Sequence, residues 1–122
     1  MSHFSLTGTM TEILADDSHL ILRPATFQDA ELLFQWRNDE ETRRYSTHPE
    51  KVSWDEHLKW LRISLEDLSK RRHLYIAEYD GRPVGTVRAD RFEEFVELSW
   101  TIDPKMRGQG LGKKMVRLFV GK

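Results

Sequence analysis

The stretch with the clearest chemical content is Ile102-Asp103-Pro104-Lys105-Met106-Arg107-Gly108-Gln109-Gly110-Leu111-Gly112-Lys113-Lys114. An apolar run ends, a glycine-rich loop follows, and a helical pattern begins. Glycine carries no Cβ, so backbone N–H groups can converge on an anion, and a helix N-terminus adds its dipole. Arg107 and Lys113 bring positive charge beside that nest. The chemistry suits a phosphate or pyrophosphate. The bland alternative is a helix entry that needs its glycines only for a tight turn.

Spacing separates the phosphate ligands. A Walker A loop requires glycine where Arg107 stands and Ser or Thr where Lys114 stands, so it fails twice. A dinucleotide G-x-G-x-x-G would need glycine at Lys113 and a further βα unit. Among proton-transfer groups, Glu97 lies in the strand-like FVELSWTI (95–102), in apolar sequence company that favours proton uptake. An exposed or salt-bridged strand glutamate is its structural alternative. Asp90 and Glu94 flank a turn and are weaker candidates. The histidines lack metal-ligand spacing: His48 and His57 are nine apart, and no i,i+4 His pair or Cys partner exists. Arg43, Arg44, Tyr45 and His48 share a basic segment, which suits a phosphate-bearing or acidic ligand or is a solvated charge cluster.

These groups must be positioned by a small set of elements. Residues 19–25 (HLILRPA) read as a strand. Thr26 and Asp29 form a capping box for a helix carrying Ala30, Leu33, Phe34 and Trp36, expected to run to about Arg44. Ser53 and Glu56 form a second box; its helix carries Trp54, Leu58, Leu61, Leu65 and Leu68, with Lys70, Arg71 and Arg72 at the last turn. A hairpin is predicted over 73–79 and 83–91 around Asp80-Gly81, then a strand over 95–102 and a helix over 110–120. The order is β-α-α-β-β-β-α in a single α/β (α+β) domain over 19–122. Residues 1–18 are expected to be a flexible leader or an edge strand.

The composition bounds the function classes. The 122 residues hold 19 basic and 20 acidic side chains, a formal charge of −1, which argues against a general nucleic-acid binder. No run approaches the ~18 apolar residues that cross a membrane. With no cysteine there is no disulfide, thiolate nucleophile or thiolate zinc site, and a reducing cytoplasm is the expected compartment.

The arrangement Arg107-x-x-Gly110-x-Gly112, with Asp103-Pro104 and ELSWTI before it, resembles the pyrophosphate loop of the GNAT superfamily of N-acetyltransferases. The order of elements over 19–120 resembles that family too. LRPAT, then D-A-E-x-x-x-x-W-R-N (Asp29 to Asn38) and SWDEHLKWL, is similar to the branch of ribosomal-protein N-terminal-alanine acetyltransferases. Nucleotide-linked amino-sugar N-acetyltransferases share the Trp36-Arg37-Asn38 and Glu56-His57-Leu58-Lys59-Trp60 pattern. Trp36, Trp54 and Trp60 fall on amphipathic helices and line a core or a groove.

The resemblance implies a mixed-sheet GNAT fold, acetyl-CoA as cosubstrate, no metal, and direct acetyl transfer to a primary amine. It implies Glu97 as general base. A bulged strand end would offer backbone groups of Trp100, Thr101 and Ile102 to the pantetheine. The pyrophosphate would sit on Arg107, Gly108, Gln109, Gly110, Leu111, Gly112 and Lys113. Trp36, Asn38, Arg44, Tyr45 and His48 would shape the acceptor pocket. The family's domain continues for roughly 40 residues beyond the last helix seen here, at average element and loop lengths. An open sheet edge is therefore expected, and with it a homodimer. The alternative is a non-catalytic CoA-binding or interaction module.

Overall fold

A computed structural model describes residues 19–46, 50–67 and 70–121. Strand β1 is Leu20–Pro24, and the chain leaves it through a fully formed capping box. The Thr26 hydroxyl accepts from the Gln28 N–H at 3.2 Å, and the Thr26 N–H donates to the Asp29 carboxylate at 2.8 Å. Arg23 donates twice to that carboxylate, at 2.8 and 2.9 Å, and also reaches Glu78 at 3.0 Å. One guanidinium thus joins β1, the helix entry and the next strand. A 3-10 turn over Phe27–Asp29 leads into helix α1, Ala30–Asn38.

The helix does not continue unbroken to Arg44. Asp39, at φ −57° and ψ 135°, ends α1 and starts α2, Glu40–Arg44. Its carboxylate accepts from the Thr42 N–H at 3.1 Å. Aspartate offers the backbone this alternative to helix, which is why it caps rather than continues. Asn38 closes the same corner: its amide donates to Val52 C=O and accepts from Val52 N–H, both at 2.9 Å.

Helix α3 is Trp54–Leu65, with the Ser53 hydroxyl accepting from the Glu56 N–H at 3.2 Å. It stops before the basic run, which was expected in its last turn. The Asp67 carboxylate accepts from the N–H groups of Arg71 at 3.1 Å and Arg72 at 2.8 Å, and turns the chain into β2. Leu68, expected on the helix stripe, lies outside the described residues, as do residues 1–18.

Strand β2 (Arg72–Tyr79) and strand β3 (Arg82–Arg91) meet at Asp80-Gly81, both at positive φ, the twist that suits a two-residue hairpin. Strand β4 is Val96–Ile102, and helix α4 is Leu111–Val120. The expected α+β architecture is present, with the sheet ordered β1-β2-β3-β4 and every described pair antiparallel. One face packs Leu74 and Ile76 under Ala30, Leu33, Trp36 and Leu61 of α1 and α3. The other packs Leu20, Ala77, Val84 and Val87 under Leu111 and Met115 of α4. Full burial of Leu61, Ile76 and Met115 stabilises the fold by about 1.5–3 kcal/mol per side chain. Among the described residues no helix is long and apolar enough to cross a membrane.

Candidate functional site

Strand β4 carries both halves of the site. Asp103 N–H donates to Val84 C=O and Phe92 N–H to Phe95 C=O, each at 2.8 Å. Between those bonds the register runs unbroken from Gly85↔Ile102 to Arg91↔Val96. Alternation along an antiparallel ladder then turns the backbone groups of Glu97, Ser99 and Thr101 toward β3. Those of Leu98, Trp100 and Ile102 face the outer edge, which has no strand partner among the described residues. The bulge expected at this strand end is absent; the sheet's register shift falls at Ala77/Glu78 of β2 instead. Trp100 and Ile102 therefore offer backbone groups to a ligand, and Thr101 does not.

A cleft of about 980 Å³ opens between this strand and the helices. Its sheet wall includes Glu97, Ser99 and Thr101, with Thr86 and Arg88 of β3 beside them. Trp36, Arg37 and Trp60 contribute from α1 and α3, and Tyr45, 79 % exposed, stands at the mouth. Of the candidate site residues named from the sequence, the cleft gathers Trp36, Arg43, Tyr45, Glu97, Trp100, Thr101, Ile102 and Arg107. Trp36 is nevertheless a core residue, and its indole N–H donates to Asp103 at 2.9 Å. Asn38 does not line the cleft, because both ends of its amide are taken by Val52. Arg44 is exposed, 3.8 Å from Glu40, and also outside the cleft. His48 lies outside the described residues.

Glu97 is exposed, and its surroundings differ from its sequence company. Side chains alternate along a strand, so Val96 and Leu98 point to the other face. Glu97 shares its own face with Ser99, Thr101 and the cross-strand Asp90. Arg37, noted in the sequence only as the middle of Trp36-Arg37-Asn38 and given no role there, is the more unusual group. Its guanidinium lies 4.6 Å over the Trp60 ring, and its buried Nη1 has no hydrogen-bond partner among the described residues. Burial, reinforced by the positive charge of Arg88, pushes its pKa below the ordinary value. Arg88 Nε stands 3.2 Å from Asp90 without the alignment of a hydrogen bond; Arg72 holds the same carboxylate at 2.7 Å. The alternation 97-99-101 was a readable signal for Ser99. Nothing in the sequence gives the register that brings Thr86 and Arg88 beside it.

At the other end of β4, a 3-10 turn over Pro104–Met106 precedes the glycine loop. Gly108 and Gly110 have φ of +82° and +74°, and Gly110 caps α4 without a side chain. The first-turn N–H groups of Leu111, Gly112 and Lys113 have no acceptor one turn back. The donor set, beside two glycines in left-handed conformation, fits an anion such as a diphosphate. Leu111 can offer only its backbone, since its side chain is core. At Gly112 a Cβ would stand 3.1 Å from the Trp100 indole nitrogen, so that position packs the loop against β4. Arg107 does not aim its guanidinium at the nest. It is held by Asp39 at 2.5 Å, Glu41 at 2.6 Å and the Thr42 hydroxyl at 3.0 Å. The Asp39 bond depresses the Asp39 pKa and raises that of Arg107.

His57 is fully buried with Nε2 at 2.8 Å from Ala30 C=O, and burial lowers its pKa. It stacks 5.8 Å from Trp60 as a neutral core ring. Among the described residues no group of three or more His, Asp or Glu is arranged to hold a metal ion.

Among the solved structures that share the fold are three acetyltransferases. The aminoglycoside acetyltransferase AAC(6')-Ib, solved with ribostamycin and coenzyme A, aligns with a TM-score of 0.70 at 20% identity over 84% of this chain and 65% of its own. A spermidine N-acetyltransferase from Vibrio cholerae, solved with CoA and spermine, gives 0.73 at 17% identity over 85% and 63%. An acetyltransferase from Thermus thermophilus gives 0.69 at 22% identity over 84% and 68%. At such identities the likeness shows the fold alone, and the chain spans about two thirds of their length. No protein of curated function matches in sequence. The acetyltransferase (GNAT) domain family does match, over residues 19–122, with the strand, loop and helix described above inside it. The chain belongs to the GNAT acetyltransferase family.

Proposed function

We propose that this chain binds acetyl-CoA and acetylates a primary amine, on a small molecule or a protein N-terminus. The observation that carries the reading is a continuous path along β4: anion nest, free strand edge, then cleft. When bound, acetyl-CoA supplies the acetyl group as an activated thioester. The N–H groups from Gly108 to Lys113 hold its diphosphate. The outward backbone groups of Trp100 and Ile102 orient its amide-bearing arm, and Tyr45 and Trp36 wall the acceptor. Glu97 takes a proton from the amine on its carboxylate. A non-catalytic CoA-binding module is the second reading. It is favoured by the lack of any hydrogen bond orienting Glu97 among the described residues. A homodimer in the cytoplasm completes the proposal, supported by the open edge of β4 and the cysteine-free sequence.

Calorimetric titration with acetyl-CoA tests it. Binding is expected, weakened at least ~10-fold (about 1.4 kcal/mol) by Gly110→Val, which forces a branched residue to positive φ. Thiol release with an amine panel then separates enzyme from binder. Glu97→Gln should slow it on the order of 10²-fold with binding intact. A folded chain that ignores acetyl-CoA overturns the proposal.

A further inference from the structure

Arg37 and Arg88 line the cleft together with Arg43, Lys51 and Arg107 and the carboxylates Glu41, Glu50, Glu56 and Glu97. Arg88 and, from outside the cleft lining, Arg72 act on Arg37 with like charge, and Arg72 holds the Asp90 carboxylate. Arg37 has no carboxylate within ion-pair distance among the described residues; Glu56 attracts it from further off. Its contact is the Trp60 face, which leaves the planar fork of the guanidinium with donors to spare. A partly buried guanidinium short of partners is costly, and its fork matches carboxylate or phosphate oxygens two at a time.

Building on the acetyltransferase reading, we propose that the acceptor amine carries an anionic group, carboxylate or phosphate, which Arg37 receives with help from Arg88. The amine end then lies toward Glu97, which lines the same cleft. Such an acceptor is a zwitterion. Spermine, the ligand of the Vibrio cholerae enzyme, carries only ammonium groups and would meet Arg37 and Arg88 with like charge.

The test is binding to the full chain saturated with CoA, so that the anion nest is already filled. O-Phosphoethanolamine, β-alanine, ethanolamine and spermidine are titrated in turn. Either anionic amine should bind at least tenfold more tightly than ethanolamine, with spermidine weakest. The stronger of the two tells phosphate from carboxylate. Arg37→Gln should abolish the preference, and Arg37→Lys should keep part of it, with CoA affinity unchanged in both. Equal binding of ethanolamine and both anionic amines, no binding of either anionic amine, or a preference for spermidine would overturn the anion subsite. Failure to bind CoA at all overturns the transferase reading instead. The wild-type comparison stands even if a variant fails to fold.

Discussion

His57 shows how far a residue's type misleads about its work. A histidine in a family motif invites a catalytic reading, yet this ring is sealed between α1, Trp54 and Trp60, with its pKa lowered by burial. The sign of the linkage follows. A depressed pKa means the unfolded chain takes the proton more readily, so His57 supports the fold fully above its unfolded value near ~6.5 and loses that support as pH falls below it. Urea denaturation should therefore show stability declining from pH 7.5 to 5, and His57→Phe should flatten that window. An unchanged slope in the variant would assign the titration elsewhere. The same limit governed Glu97. Its position on the strand was legible, but its environment was not, because the sequence neighbours Val96 and Leu98 face the other way. Asn38 was legible as a functional-looking side chain in W-R-N; only its Val52 partner reveals a brace.

At the scale of elements, caps and turns were the readable part. Thr26–Asp29, Ser53 and Asp80-Gly81 each stand where their chemistry predicted, and the hairpin strands agree within a residue or so at each end. The break at Asp39 escaped because Glu40–Arg44 has ordinary helical composition, so an aspartate that caps Thr42 reads as one more helical residue; its other partner, Arg107, is 68 residues away. Asp39 serves α2 and the glycine loop at once, capping Thr42 and holding Arg107. Asp39→Ala should cost ~1–2 kcal/mol, from a lost cap and a lost charged hydrogen bond. Arg107→Gln should cost less, about 1 kcal/mol, since its pair is partly solvated. The two changes remove one shared contact, so the double variant should be less destabilised than the sum. Additive losses in urea denaturation would mean that the latch contributes nothing to stability.

For the molecule as a whole, the order of elements was legible and the strand register was not. Register decides that β4 turns the backbone groups of Val96, Leu98, Trp100 and Ile102 outward, a run of donors and acceptors with no strand against them among the described residues. Exposed Phe92 and Phe95 stack 4.7 Å apart just before it, and Trp100 is 45 % exposed further along. Unpaired edge groups beside apolar surface template pairing with a second chain, and symmetric pairing closes on itself. The 122-residue chain should scatter light as a dimer at low micromolar concentration. Val96→Pro should shift it to monomer: that residue's N–H points outward, so proline removes an edge donor at the first position of β4 without taking a bond from β3. A parent chain that is monodisperse and monomeric would refute edge pairing. So would a Val96→Pro variant that folds and stays dimeric, because the contact would then lie on another surface.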